Sequence, residues 1–138
     1  MACCEAGGFV YTAPLATQVD IPLVLIRGAG KLPPSTISVI KSLLHMLSSI
    51  PNVAAENRIE IDRHAVPPGA HMVVVDNVLS TGNTLCTVLQ LLKDAGTRPE
   101  DVSVMIVAEF PAHRGRALLR QRGFGGVGIQ SLLVFDGA

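Results

Sequence analysis

Short runs of branched apolar residues alternate along the chain with glycine-bearing polar turns and apolar helical stretches, the rhythm of an α/β protein. The strongest run is Val73-Val74-Val75, preceded by His71-Met72 and followed by Asp76-Asn77. Three consecutive valines predict a strand buried on both faces, as in the centre of a parallel sheet. Leu85 to Ala95 then predicts a helix with Gly96 as its cap. Upstream, Phe9 to Val19 predicts a helix that tolerates Pro14 only in its first turns, and Ala2 to Cys4 reads as a strand remnant leading into it. Ile21 to Ile26 predicts another buried strand, with Pro22 confined to its start. Ser35 to Ile50 carries Ile37, Ile40, Leu43, Leu44 and Leu47 at helical spacing, and Pro51-Asn52 stops it. Lys41 and His45 are expected on an exposed face of that helix rather than as a catalytic pair. Its apolar character suggests a packing or partner surface.

Arg58 to Asp62 alternates as a half-buried strand, and Val66 to Gly69 is the turn feeding the valine strand. Asp101 to Ala108 predicts a strand that closes a right-handed βαβ crossover with the valine strand. Leu118 to Gln121 reads as a short helix, Gly123 to Gly128 as a connector, and Ile129 to Phe135 as the last strand. The whole is expected to be one domain, 1–138, with a doubly wound parallel sheet flanked by helices.

Composition narrows the class. Of the 138 residues 49% are hydrophobic and 16% charged, so a buried core is expected and disorder is not. The formal net charge is zero, which argues against nucleic acid as a partner. Three cysteines, two of them adjacent, have neither zinc nor disulfide-framework spacing and read as buried thiols in a reducing, cytoplasmic compartment. No apolar run is long enough to span a membrane, and the residues before the first glycine turn are too few for a signal peptide.

The chemistry concentrates after the valine strand. Ser80-Thr81-Gly82-Asn83-Thr84 is a polar turn opening a helix. A strand, a small-residue loop and a helix N-terminus make an anion site, because unpaired N–H groups converge and the helix dipole favours negative charge. Gly82 allows close backbone approach, and Ser80, Thr81 and Thr84 add hydroxyl donors. Asp76 and Asn77 lie beside that anion, placed to hold sugar hydroxyls. Arg27-Gly28-Ala29-Gly30-Lys31 sets two cations around flexible glycines, which suits a diphosphate as well as it suits a solvated loop. Glu5-Ala6-Gly7-Gly8-Phe9, read alone, is a strand-to-helix turn with no ligand. Glu109 ends a strand, next to the cleft in such sheets, and His64 reads as an exposed loop histidine before it reads as a titrating group.

The stretch Val73 to Thr84 resembles the phosphoribosyl-pyrophosphate signature of type I phosphoribosyltransferases, nearest the adenine branch. Arg27 to Pro33 resembles that branch's Arg-Lys-x-Gly-Lys-Leu-Pro, Glu5 to Phe9 its Glu-Ala/Ser-Arg-Gly-Phe, and Arg114 to Arg116 part of its Leu-Lys-Gly-Arg. The resemblance implies that Ser80, Thr81, Gly82, Asn83 and Thr84 bind a 5′-phosphate and that Asp76 and Asn77 act at the ribose. It implies that Arg27 and Lys31 bind pyrophosphate, and that Mg²⁺ enters with phosphoribosyl pyrophosphate and meets Asp76.

The implied activity is phosphoribosyl transfer to a purine-type base, with an AMP-like product as an alternative ligand and a homodimer as the expected assembly. The pattern departs at Gly7 (usually Arg), Gly28 (usually a cation), Asn77 (usually Asp) and His64 (usually Asp). The family's hood region has no counterpart here, and nothing in 36–57 matches its Glu-bearing lid. Charge-assisted contacts missing at Gly7, Gly28 and Asn77 would each cost about 1.5–3 kcal/mol if buried, a slowing of several powers of ten. Two further classes therefore stay open: a phosphate-ligand-binding or assembly protein, and a fold repurposed for another substrate.

Overall fold

The computed structural model describes residues 1–41 and 57–137. In chain order the elements are β1 (Ala2–Cys4), α1 (Gly7–Val19), β2 (Val24–Gly28), β3 (Thr36–Ile40), β4 (Arg58–Asp62), β5 (Met72–Leu79), α2 (Asn83–Asp94), β6 (Val102–Glu109), α3 (Gly115–Gln121) and β7 (Gly128–Val134). They form a seven-stranded sheet in the order β3-β4-β2-β1-β5-β6-β7. Strands β2, β1, β5, β6 and β7 run parallel, while β4 is antiparallel to both β2 and β3. The expected helix-flanked parallel sheet is present and carries an antiparallel pair on one side.

The valine run sits where its pattern puts it. β5 pairs with β1 through Ala2↔Val74 and with β6 from Met72↔Val102 to Leu79↔Glu109, so it is central. Successive side chains of a strand face opposite ways, and both faces of β5 are covered. On one face Val74 joins Val88, Leu91 and Leu92 of α2 in the main core. On the other, α1 lays Gly8 and Thr12 against Cys3 and Val75, with Ala16 the third of its buried small residues. A Cβ on Gly8 would already stand 3.1 Å from the Val75 carbonyl oxygen and 3.2 Å from Cys3 Cβ. The Thr12 hydroxyl donates to the Gly8 carbonyl at 2.6 Å and reaches the Val75 carbonyl at 3.4 Å. This small-residue seam continues to the first turn, so α1 starts at Gly7, ahead of the expected Phe9.

α2 is amphipathic, with Leu85, Val88, Leu89 and Leu92 recurring at helical spacing and all buried. Past its end Gly96 takes φ +99°, the left-handed conformation that a glycine adopts at little cost, and its N–H donates to Lys93. Each such buried aliphatic side chain contributes about 1.5–3 kcal/mol. Leu91→Ala, at a position with no exposed surface, removes that and leaves a cavity, a loss of about 2–5 kcal/mol.

One expected element is corrected. Thr36 to Ile40 is not the start of a helix but strand β3, paired from Thr36↔Asp62 to Ile40↔Arg58. Thr-Ile-Ser-Val-Ile alternates with period two, and Ile37 and Val39 pack on the core. The Ile37–Ile40 spacing mimicked a helix. The rest of the expected helix, with His45, lies outside the described residues.

Candidate anion-binding active site

The carboxyl ends of β1, β2 and β5 share one edge of the sheet, where ligands of open α/β folds bind. Between them lies a cleft of about 320 Å³ lined by Cys4, Glu5, Gly7, Lys41 and the continuous stretch Asp76–Leu85. Its floor is the turn that leaves β5. Gly82 is the residue before α2 and takes φ +82°, and no side chain caps the helix. The N–H groups of the first helical turn therefore have no intrahelical acceptor and are available to an anion. Ser80 is half-buried and Thr81 and Thr84 are exposed, so their hydroxyls are open to a ligand. The Asn83 amide donates to the Thr81 hydroxyl at 3.2 Å and steadies the turn.

The turn is held from beneath by a backbone contact. A Cβ on Gly82 would meet the Gly115 carbonyl oxygen at 2.8 Å. A Cβ on Gly115 would run into the Ser80 carbonyl oxygen and would meet Leu79 Cδ1 at 2.9 Å. Two glycines thus let the start of α3 pack directly under the anion turn, an approach that no side chain permits.

Asp76 is buried at the end of β5. Burial pushes its carboxyl pKa up, opposed by the Asn77 N–H, which donates to Asp76 Oδ1 at 2.8 Å. Asn77 is half-buried, and its amide fills the space over Gly7: a Cβ there would lie 2.6 Å from Asn77 Cγ and Nδ2. The structure thus brings Asp76, Asn77 and residues 80–84 together in one cleft.

Arg27, at the end of β2, and Lys31, on the loop that follows, converge on one carboxylate. Glu5 accepts from Arg27 Nε at 3.2 Å, from Lys31 Nζ at 2.8 Å and from the Gly28 N–H at 2.5 Å. The Lys31 ammonium, with the Gly28 N–H and Arg27 beside it, outweighs burial and holds the Glu5 carboxyl down to about 2. Glu60 fixes the far side of the same loop, accepting from the N–H groups of Lys31 at 3.0 Å and Leu32 at 2.9 Å. Burial opposes its charge, but these N–H donors and Thr36 keep its pKa below the ordinary carboxylate value. The loop is ordered by two carboxylates rather than solvated.

Residues 1–120 match the phosphoribosyl transferase domain family. This chain belongs to the phosphoribosyltransferases. It is 38% identical over 120 residues to adenine phosphoribosyltransferase of Roseiflexus castenholzii, covering 87% of this chain and 63% of that protein. It is 35% identical to the enzyme of the same name from Erythrobacter litoralis, over 96% of this chain and 67% of that one. The chain therefore spans a little under two thirds of the first relative's length. The crystal structure of adenine phosphoribosyltransferase from Thermoanaerobacter pseudethanolicus superimposes with a TM-score of 0.76 at 30% identity, covering 97% of this chain and 68% of that one.

Within this type I phosphoribosyltransferase fold, several residues have parts that sequence reading did not give them. Glu5 and Glu60 organise the cationic loop. For Glu60 the alternation with Ile59 and Ile61 put it on the opposite, solvent face of the strand, and only the loop folded over it, with the Lys31 and Leu32 N–H groups, buries it. Lys41 lines the cleft instead of an exposed helix face. His64 lies exposed in a turn outside it, its N–H bonded to Asp62.

Glu109 is buried and taken up by Arg116, which donates from Nε at 2.7 Å and Nη2 at 2.8 Å, and by the Ser131 hydroxyl. That arginine, against burial, holds the Glu109 pKa down. The cluster ties α3 to the end of β6 and the middle of β7 and is absent from the cleft lining. No group of three or more His, Cys, Asp or Glu side chains fit to hold a metal occurs among the described residues.

Proposed function

We propose that the chain binds phosphoribosyl pyrophosphate with Mg²⁺ and transfers its phosphoribosyl group to an adenine-like purine. One observation carries this reading: an uncapped helix N-terminus with its left-handed Gly82 opens into the same cleft as the buried Asp76. The first half holds a phosphate; the second holds the hydroxyls of the sugar that carries it. In this reading Ser80 to Thr84 bind the 5′-phosphate, Asp76 and Asn77 orient the ribose 2′- and 3′-hydroxyls, and Arg27 and Lys31 meet the diphosphate. The bond from the anomeric carbon to the diphosphate breaks through an oxocarbenium-like state, and a purine nitrogen forms the new bond. Asp76 stabilises the positive sugar, and the cations stabilise the leaving diphosphate.

The donor set fits Mg²⁺ that arrives on the substrate. Such ions take one or two carboxylates and complete their shell with phosphate oxygens and water, and Asp76 offers one. There the ion supplies charge neutralisation of the leaving group. A cytoplasmic homodimer belongs to the same reading, supported by unpaired Cys3, Cys4 and Cys86 and by exposed Val10, Leu132 and Val134.

A second reading is favoured by a specific observation. Arg27 and Lys31 are both engaged by Glu5, and Gly7 and Gly28 carry no charge, which favours a phosphate-ligand binder with little turnover. Incubation with phosphoribosyl pyrophosphate, Mg²⁺ and adenine, followed by phosphorus NMR, separates the two. Equal amounts of AMP and pyrophosphate establish the transferase. Binding of phosphoribosyl pyrophosphate without either product establishes the binder.

A further inference from the structure

We infer that Lys41 is a further diphosphate-binding cation of the cleft, beside Arg27 and Lys31, standing in for the charges that Gly7 and Gly28 lack. This rests on the phosphoribosyl-pyrophosphate reading and deepens it. Among the described residues, the cleft lining contains two carboxylates, Glu5 and Asp76, and a single cation, Lys41. A substrate bringing a phosphate and a diphosphate into that lining needs positive charge to meet it. Arg27 and Lys31 are already engaged by Glu5 at 3.2 and 2.8 Å, so their charge is largely compensated. The Lys41 side chain makes no hydrogen bond or ion pair with the described residues.

Its position is fixed by the fold. Lys41 directly follows β3, and its backbone N–H donates to the Asn57 carbonyl at 2.6 Å, extending the β3–β4 pairing. β3 runs in the same direction as β2, so its carboxyl end arrives at the ligand edge of the sheet. Lys41 is half-buried there. Within the cleft its ammonium acts on Cys4, opposing the burial that raises that thiol to about 11. Cys4 precedes Glu5 and Gly7, the turn where the family's arginine meets pyrophosphate. Lys41 brings a positive charge to the same cleft as Gly7, while the space over Gly7 is filled by the Asn77 amide.

The test is calorimetric titration of wild type, Lys41→Met and Lys41→Arg with inorganic pyrophosphate and phosphoribosyl pyrophosphate (each with Mg²⁺) and with AMP. Methionine keeps the aliphatic stem, and unchanged thermal unfolding confirms that the fold is kept. A charge-assisted contact of ordinary strength predicts a loss of about tenfold to a hundredfold in pyrophosphate and phosphoribosyl-pyrophosphate affinity for Lys41→Met. Lys41→Arg recovers most of it, and AMP affinity stays within about twofold. Wild-type binding that Lys41→Met leaves unchanged overturns the inference alone, as do equal losses for AMP and pyrophosphate. Wild type that binds none of the three overturns the underlying reading, and the inference falls with it.

Discussion

Replacing Glu5 by Gln removes the charge on which Arg27, Lys31 and the Gly28 N–H converge, while keeping the size of the side chain. Its carboxyl is held from the ordinary value of 4.5 down to about 2. At 1.36 kcal/mol per pKa unit, that corresponds to an upper bound of roughly 3 kcal/mol. Glu5 is 17% exposed, but Arg27 is 35% and Lys31 53% exposed, so solvent screens the pair. The expected loss at pH 7 is therefore about 1–2 kcal/mol.

The sign of the pH dependence follows from the depressed pKa. The contribution is complete above the unfolded value near 4.5 and disappears as pH falls toward about 2. Urea denaturation of wild type and Glu5→Gln from pH 7 to pH 3 reads this directly. The gap between them stays constant down to about pH 5, narrows below about pH 4.5, and shrinks in high salt. The same variant releases Arg27 and Lys31, so pyrophosphate binds about tenfold more tightly to the less stable protein. A gap that does not change with pH, or none at pH 7, would refute the ion-pair account.

Gly7→Ala brings a Cβ to within 2.6 Å of the Asn77 amide, the far end of a side chain, so the amide must swing aside at a cost of about 0.5–1.5 kcal/mol. In an Asn77→Ala background the same change is nearly free, a coupling of about 0.5 kcal/mol or more by denaturation. Additive effects would show that Asn77 does not fill that space. Gly115→Ala pushes against Ser80 and Leu79, and the anion turn must shift. AMP affinity, by titration, falls by about tenfold or more, and an unchanged affinity would show that α3 does not set the turn.

What the sequence revealed depended on how far apart the interacting residues are. The valine strand and the turn at 80–84 were legible because strand, glycine, hydroxyls and helix occupy one continuous stretch. Burial on both faces of β5 and the bare N-terminus of α2 follow from that stretch alone. The Glu5 grip on Arg27 and Lys31 spans 22 and 26 residues, and no local pattern announces it. The Gly82–Gly115 approach joins segments from different crossovers, so each glycine looked like an ordinary turn residue. At β3, Ile37 and Ile40 satisfied a helical period by accident, and the pairing with β4 decided for a strand. That error also misplaced Lys41, which left the cleft short of a charge it has.

The central claim is that the turn at 80–84 holds a phosphate on a ribose held by Asp76 and Asn77. Calorimetric titration with AMP and with adenosine, on wild type and on Thr81→Ala/Thr84→Ala, tests it most directly. The account predicts that AMP binds wild type at least about a hundredfold more tightly than adenosine, and that the double variant removes most of that difference. Equal affinity for the two ligands, or AMP binding that survives the double substitution, would contradict it.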